Sequence, residues 1–457
     1  MGTDDLLAAA VGTARWVTSA AVDGSAGRAA GGSADGPTGE PSIRHWQANP
    51  DPGGRSARAG DASSLYAGAA GIVLFLLELA DATGDDSYRA DALAGARYLA
   101  AGWADQADLT LHHGLAGHVF AMAEAAWATG DDQVEAAARA AADRIVRGVR
   151  SIEGAGDIGI GWTGDPALRG DGGIVLALLH AAGMLGVAEY EQVAIEAGER
   201  IAALAVPGHT FGGDSCADFP TDAVTPGFLP GTAGSAFLLA RLYGITGDDR
   251  FLTAARRGAD FVRAVSVVTD RCALIPHHVP QGRELHYLGY CSGSAGVART
   301  FHELHRVTGD PGDLDWVERL AHGIVQSGAP ERRSAGYWNV ACQCCGTAGL
   351  IELFTGLWSA TGQRSHLDFA QTLAGDLLAH ATGDDHLRWY QAYRRLRPRE
   401  VAADTGYMVG AAGIGAALLH LEAALRALEP GAEEARRLIL LPDNPFPAIP
   451  LPPAPVA

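Results

Sequence analysis

The sequence predicts an all-α protein of seven consecutive helix pairs, and three observations carry that prediction. A Gly-x-x-Gly pair recurs seven times, at Gly68/Gly71, Gly114/Gly117, Gly170/Gly173, Gly231/Gly234, Gly293/Gly296, Gly346/Gly349 and Gly410/Gly413, with steps of 46 to 64 residues between first glycines. In six of the seven, another glycine follows sixteen residues after the first (Gly84, Gly130, Gly186, Gly247, Gly309 and Gly362), four times inside a Thr-Gly-Asp triplet. Between these markers the chain is small or apolar on most faces, as in GIVLFLLELADAT, whereas the following stretch, such as DDSYRADALAGARYLAAGWA, is more polar and amphipathic.

Each marker has a physical reading. The stretch between glycines is a buried helix about 24 Å long at 1.5 Å per residue. The closing glycine supplies the left-handed residue that ends it, and the Asp after it can cap the next helix. Each unit is therefore an αα-hairpin with an inner, glycine-headed helix and an outer, solvated one. Seven hairpins either stack as an open superhelix or close into a ring. Inner helices that are apolar nearly all round, with glycines that let seven N-termini crowd together, favour an α/α toroid of seven inner and seven outer helices. The spacing alone leaves an open α-solenoid, used as a binding scaffold, as the alternative.

The ends differ from the repeats. Residues 1–20 include a helical stretch, DDLLAAAVGTARWVTSAAV, and residues 22–60 are rich in Gly, Ser, Pro and Asp, as expected of loop or disorder. The terminal LPDNPFPAIPLPPAPVA is too rich in proline to be helical. The expected organisation is an N-terminal segment 1–60, the toroid over 61–437 and a Pro-rich tail 438–457.

Composition narrows the function. A formal charge of −19 over 457 residues argues against nucleic-acid or anionic-membrane partners, which call for a basic patch. No positive n-region precedes an apolar run at the start, and the longest apolar run is too short to span a bilayer. Six cysteines in a chain of this length do not make a disulfide scaffold, and a cytoplasmic location is expected.

Three of the six cysteines fall within YWNVACQCCGTAGL, residues 337–350. If all repeats share one geometry, the two residues before each first glycine occupy equivalent places beside the central opening. The nearer positions hold Ala67, His113, Arg169, Pro230, Ser292, Cys345 and Val409; one step back stand Tyr66, His112, Leu168, Leu229, Cys291, Cys344 and Met408. Repeats five and six thus bring Cys291, Cys344 and Cys345 together on adjacent loops. Three thiolates at helix N-termini suit zinc, and three protein ligands leave the fourth position open, as in catalytic sites. The competing reading is three inert cysteines among small residues. Cys342 is off the equivalent position, and Cys216 and Cys272 are isolated.

With the seven glycine pairs, GYCSGSAG (289–296), CQCCGTAG (342–349) and TGYMVGAAGIG (405–415), the chain resembles the lanthionine synthetase C-like (LanC-like) family over roughly residues 60–430. The resemblance implies an α/α toroid and zinc held by Cys291, Cys344 and Cys345. It also implies addition of a peptide cysteine thiolate to a dehydrated Ser or Thr in a precursor peptide, giving a thioether ring. A separate dehydrating enzyme would then be a partner. The family's His before the fourth glycine pair is Pro230 here, its Asp before the third falls on or near Pro166, beside Asp165, and its Arg four residues before the first zinc Cys is Tyr287.

Candidates to handle protons in their place are His113, Tyr287 and His286; Arg169, with Asp165, is a candidate substrate contact. Two other readings stand beside the cyclase: a noncatalytic toroid that binds peptide or a modifying enzyme, and a carbohydrate-active toroid. The latter needs paired carboxylates at the mouth, and the pre-glycine positions hold none.

Overall fold

The structure, a computed structural model, describes residues 1–25, 42–50, 62–154, 157–204, 209–210, 223–330, 336–430 and 436–449. Its helices are α1 (Thr3–Ser19), α2 (Ala69–Thr83), α3 (Asp86–Gly102), α4 (Leu115–Thr129), α5 (Asp132–Arg147), α6 (Asp171–Leu185) and α7 (Ala188–Leu204), then α8 (Thr232–Thr246), α9 (Asp249–Val265), α10 (Ser294–Thr308), α11 (Pro311–Gln326), α12 (Thr347–Thr361), α13 (Arg364–Ala379) and α14 (Ala411–Arg426). The even-numbered helices each start one residue after the first glycine of a pair, and that glycine is the N-cap.

The expected punctuation is present. Six inner helices end on glycines with φ between 67° and 72°, a region costly for a residue with a Cβ. The side chains of Asp85, Asp131, Asp248 and Asp310 cap α3, α5, α9 and α11. In α2 every residue from Ala69 to Ala80 is buried, whereas α9 buries the single stripe Phe251, Ala254, Ala255, Gly258, Ala259 and Val262. Inner and outer helices thus differ as their sequences require.

The ring closes. The second glycine of each pair packs against a residue of the preceding repeat: at Gly296 an added Cβ would come within 2.6 Å of Phe228 Cβ, and at Gly71 it would collide with Tyr407, which joins repeat seven to repeat one. A chain of backbone hydrogen bonds runs round the same rim. Leu229 donates to Cys291 (2.7 Å), Cys291 to Cys344 (3.1 Å), Cys344 to Met408 (2.9 Å), Met408 to Tyr66 (2.8 Å) and Tyr66 to His112 (2.9 Å). An open superhelix has no bond from Met408 to Tyr66.

Six outer helices follow their inner partners, and the seventh comes from the other end of the sequence. Helix α1 packs on α14, burying Leu6, Ala10, Trp16 and Val17. No glycine follows Gly410 at the sixteenth position, and among the described residues no outer helix follows α14; the N-terminal segment takes that place.

The expectation of loop or disorder over 22–60 needs correction in part. Ala21–Ser25 pairs antiparallel with Ser42–Trp46, laying Trp46 in the core beside Gly95 and stacking His45 on Tyr98 at 5.0 Å. The aromatic IRHW stretch has apolar surface to bury, which the flanking Gly/Ser composition masks. Residues 26–41 and 51–61 lie outside the described residues.

Residues 436–449 run without helix through the far end of the channel. Ten residues after each first glycine the inner helices carry Glu78, Glu124, His180, Arg241, Glu303 and His420, with Gly356 at the equivalent place in repeat six. The tail meets this ring one member at a time. Arg437 reaches Glu124 (2.6 Å), the Ile439 N–H donates to Glu78 (2.5 Å), Arg241 donates to the Asn444 carbonyl (3.3 Å), and Phe446 fills the space over Gly356. Arg436 pairs with the buried Glu422 at 2.5 Å. Buried carboxylates are costly unless paired, and the tail supplies part of that pairing.

Candidate metal centre

The loops that close the hydrogen-bonded rim also set the three cysteines. The Sγ atoms of Cys291 and Cys345 are 3.2 Å apart, those of Cys345 and Cys344 are 3.6 Å apart, and all three lie within 4.8 Å of one another. Four thiolates at a Zn–S distance of about 2.3 Å would stand roughly 3.8 Å apart, so the trio fits three corners of a zinc tetrahedron. These separations are far beyond a disulfide bond. All three residues are buried, and among the described residues this is the one group of three or more Cys, His, Asp or Glu close enough to share an ion. The Cys344 thiol is held well below its ordinary range because the thiols of Cys291 and Cys345 donate to it, with the hydroxyls of Tyr66 and Tyr393 adding to the effect. Cys291 is raised in turn by its bond to Cys344. A site that already stabilises one thiolate is suited to a soft dication.

Two phenols overlook the sulfurs. Tyr66 Oη lies 3.1 Å from Cys344 Sγ and in short contact with Tyr393 Oη, which is 3.8 Å from the same sulfur. Tyr66 is the rim residue of repeat one, equivalent in sequence to Cys291 and Cys344, and that register is the signal by which it could have been found. Tyr393 comes from the insert between α13 and α14, which carries no periodic marker.

The sequence-derived candidates distribute unevenly. The ring of Tyr287 lies 4.1 Å from that of His277 and 6.2 Å from that of Trp338; Arg395 hydrogen-bonds to it. Burial pushes its hydroxyl up, and the sulfurs of Cys345 and Cys291 push it further, so it stays protonated beside the trio. His113 is exposed and its ring lies tilted against that of Tyr66 at 4.7 Å, which places it one ring away from Cys344. His286 turns elsewhere: its Nδ1 is 3.2 Å from the Ile275 carbonyl and its ring lies against Tyr337. Arg169 and Asp165 are brought together, but with each other, in an ion pair of 2.7 Å.

Cys342 lies outside the sulfur cluster, its N–H donating to Gln391 Oε1 at 3.1 Å. Cys272 sits in the strand Cys272–Leu274, and Cys216 lies outside the described residues. His277 and His278, with Nδ1 atoms 3.1 Å apart behind Tyr287, were not anticipated. They stand between α9 and α10, in a segment without repeat markers. Burial holds His277 down at about 3, so it is neutral at pH 7.

Beneath the trio, Tyr290 donates a short hydrogen bond to Asp443 of the tail and stands 3.4 Å from His112 Nε2. Arg299 lies over the Tyr290 ring at 4.9 Å and pairs with Asp443 at 3.0 Å. The tail thus forms a floor under the loop that carries Cys291. A cavity of about 390 Å³ opens beyond it, lined by Glu352, Thr355, His420, Arg436 and Phe446. It lies at the C-terminal ends of the inner helices, away from the cysteines.

A closed α/α toroid with a cysteine trio on its rim defines a class, and sequence comparison names the family. The profile of the lanthionine synthetase C-like protein family matches residues 61–434, and the chain belongs to that family. Among solved structures, nisin cyclase is similar with a TM-score of 0.58 at 14% identity, over 80% of this chain and 89% of that one. The GH76A alpha-1,6-mannanase from Salegentibacter sp. HEL1_6 also aligns, with a TM-score of 0.46 at 14% identity, over 92% of this chain and 100% of that one. The first likeness shows the toroid; the second is too distant to carry an argument. No protein of curated function matches the chain in sequence. Among the described residues no helix is long and apolar enough to cross a membrane.

Proposed function

We propose that the protein is a zinc-dependent cyclase that forms thioether rings in a dehydrated precursor peptide prepared by a separate dehydrating enzyme. The observation that carries this reading is the convergence of Cys291, Cys344 and Cys345 within 4.8 Å on the rim of a LanC-like toroid. These three would hold the ion, and zinc bound there would lower the pKa of an incoming peptide thiol, which reacts as thiolate.

The remaining work falls to the chain's own residues. The reaction is a conjugate addition: the peptide sulfur bonds to the β-carbon of a dehydroalanine or dehydrobutyrine, the C=C π pair moves onto the carbonyl, and the α-carbon then takes a proton. With Pro230 where the family places its His, Tyr287 is our candidate to deliver that proton. His277 and Trp338 hold it in place, and it remains protonated at neutral pH. Tyr66 and Tyr393 donate to the Cys344 sulfur and fix its orientation. His113, packed against Tyr66 at the opening, is a candidate proton exchanger with solvent, and Arg169, steadied by Asp165, a contact for the peptide chain.

The test uses a synthetic peptide carrying one cysteine and one dehydroalanine. Addition leaves the mass unchanged and removes the alkylatable thiol, so loss of N-ethylmaleimide labelling on incubation with zinc-loaded protein reports ring formation. Full labelling after long incubation, with zinc bound, would favour the second reading, a noncatalytic peptide-binding toroid. Pro230 and the mutual pairing of Asp165 with Arg169 are the observations on that side.

A further inference from the structure

The segment between α13 and α14 combines three properties that the proposed chemistry does not explain. Its first is charge. Arg394, Arg395, Arg397 and Arg399 are four arginines in six residues of a chain that has 34 basic residues in 457 and a net charge of −19. All four are exposed, and Arg397 pairs with Glu400 at 3.6 Å. Concentrated positive charge on an acidic protein is a local field with a definite sign, and it draws anionic groups to that place.

The second property is apolar exposure. Tyr390, Leu396 and Val401 are 46%, 55% and 52% exposed and flank or interrupt the arginines. Exposed apolar side chains that cluster among charges mark contact surfaces more often than scattered ones do.

The third is position. Buried Gln391 fastens the base of the segment to the metal loop: its Oε1 accepts from the N–H groups of Ala341 (3.0 Å) and Cys342 (3.1 Å), and its Nε2 donates to the Val409 carbonyl (2.6 Å). Gln391–Ala392 pairs antiparallel with Val401–Ala402, which makes the arginine run the tip of a short hairpin. Tyr393, one residue before the run, reaches the Cys344 sulfur, and Arg395 reaches Tyr287. One face of the finger belongs to the candidate centre, and its tip stands in solvent beside it.

From these observations we propose that the hairpin tip, residues 394–399, is a binding site for an acidic stretch of the peptide substrate, gripping Asp and Glu side chains through Arg394, Arg397 and Arg399 while Leu396 covers an apolar neighbour. This deepens the cyclase reading, on which it rests for the word substrate, and names the substrate's class: a peptide with a run of carboxylates close in sequence to its reacting cysteine. Guanidinium groups suit that task because each can hold a carboxylate through two parallel N–H bonds.

The experiment measures binding apart from ring formation. A fluorescein-labelled peptide of about a dozen residues rich in Asp and Glu, and a counterpart with Asn and Gln at those positions, are titrated by fluorescence anisotropy with the full-length protein. The protein is used as wild type and as the triple variant Arg394→Glu/Arg397→Glu/Arg399→Glu, with Arg394→Gln/Arg397→Gln/Arg399→Gln as a milder form. The wild type should bind the acidic peptide about tenfold more tightly than the neutral one, as a few partly exposed ion pairs provide. The preference should shrink as salt rises. It should vanish in both variants, with zinc content and circular dichroism unchanged. Equal binding of the two peptides by wild type, or a preference that survives charge reversal, overturns the proposal. Because no ring need form, an acidic preference in a protein that never cyclises would sink the cyclase reading and leave the arginine site standing.

Discussion

The Cys291 N–H donates to the Cys344 carbonyl at 3.1 Å, so the two cysteine-bearing loops are joined by the same hydrogen bond that passes the toroid's rim from repeat five to repeat six. The clustering of the three sulfurs is therefore a by-product of ring closure. Loops spaced by one repeat bring residues 53 positions apart into contact without any local ligand motif.

The close-packed glycines should be intolerant of a methyl group where the rim requires it and tolerant elsewhere. In Gly296→Ala the new Cβ would collide with the Tyr290 carbonyl and press on Phe228. It should cost at least 1–3 kcal/mol, roughly the range for overpacking. Gly375→Ala, in the middle of α13 with nothing within 4 Å of the added atom, should stabilise by about 0.5–1 kcal/mol. Urea unfolding of the two variants beside wild type measures both.

Loss of Asp443 should loosen the floor of the site. Asp443→Asn leaves the buried Arg299 without its counter-charge, and breaking a buried pair from one side costs about 3–5 kcal/mol. Thermal unfolding reads the cost, and zinc retention against a chelator should weaken with it, because Tyr290, next to Cys291, and Arg299 must then compete for a single amide oxygen.

His420 gives the fold an alkaline limit. Burial works against its charge, but Glu352 at 2.7 Å and Glu78 at 2.8 Å outweigh it and raise the imidazole to about 10 from 6.5. A raised folded-state value stabilises fully below pH 6.5 and loses its contribution as pH climbs toward 10. Stability should fall by a few kcal/mol, on that order, across this window. In His420→Gln the slope should be nearly flat, with the variant already weaker at pH 7. Unfolding midpoints at stepped pH test the sign.

Tyr287→Phe separates proton delivery from metal binding. The variant should keep its zinc and its peptide affinity while ring formation slows by about a hundredfold, the lower range for removing a general acid. An unchanged rate would assign the proton to another donor.

Much of this architecture was legible because a repeat writes its geometry into the sequence. The seven glycine pairs predicted the inner helices and their register, and the register picked out Cys291, Cys344 and Cys345 before any coordinates. The same reasoning reached Tyr66, which holds the equivalent rim position, yet a phenol in place of a thiol gives no chemical cue. The ring of Glu78, Glu124, His180, Arg241, Glu303 and His420, ten residues after each glycine, was equally periodic, but its meaning depends on the tail that threads it.

What lay outside the repeat could not be placed. Helix α1 takes the seventh outer place beside α14, which no outer helix follows among the described residues, and that is a fact about ring closure. The inserts that carry His277, Tyr393 and Arg394–Arg399 have no period, so their approach to the centre depends on tertiary contacts such as those of Gln391. His286 shows the converse: adjacent to Tyr287 in sequence, it faces the Ile275 carbonyl, since neighbours in an extended segment point to opposite sides.

The central claim is that Cys291, Cys344 and Cys345 bind zinc, and elemental mass spectrometry of the purified protein tests it most directly. Wild type prepared under reducing conditions should carry about one zinc per chain, the occupancy of a single three-thiolate site. Cys291→Ala and Cys345→Ala should each lose it while retaining the helical circular dichroism signal. A wild-type protein that takes up no zinc after reconstitution, or variants that keep theirs, would contradict the account.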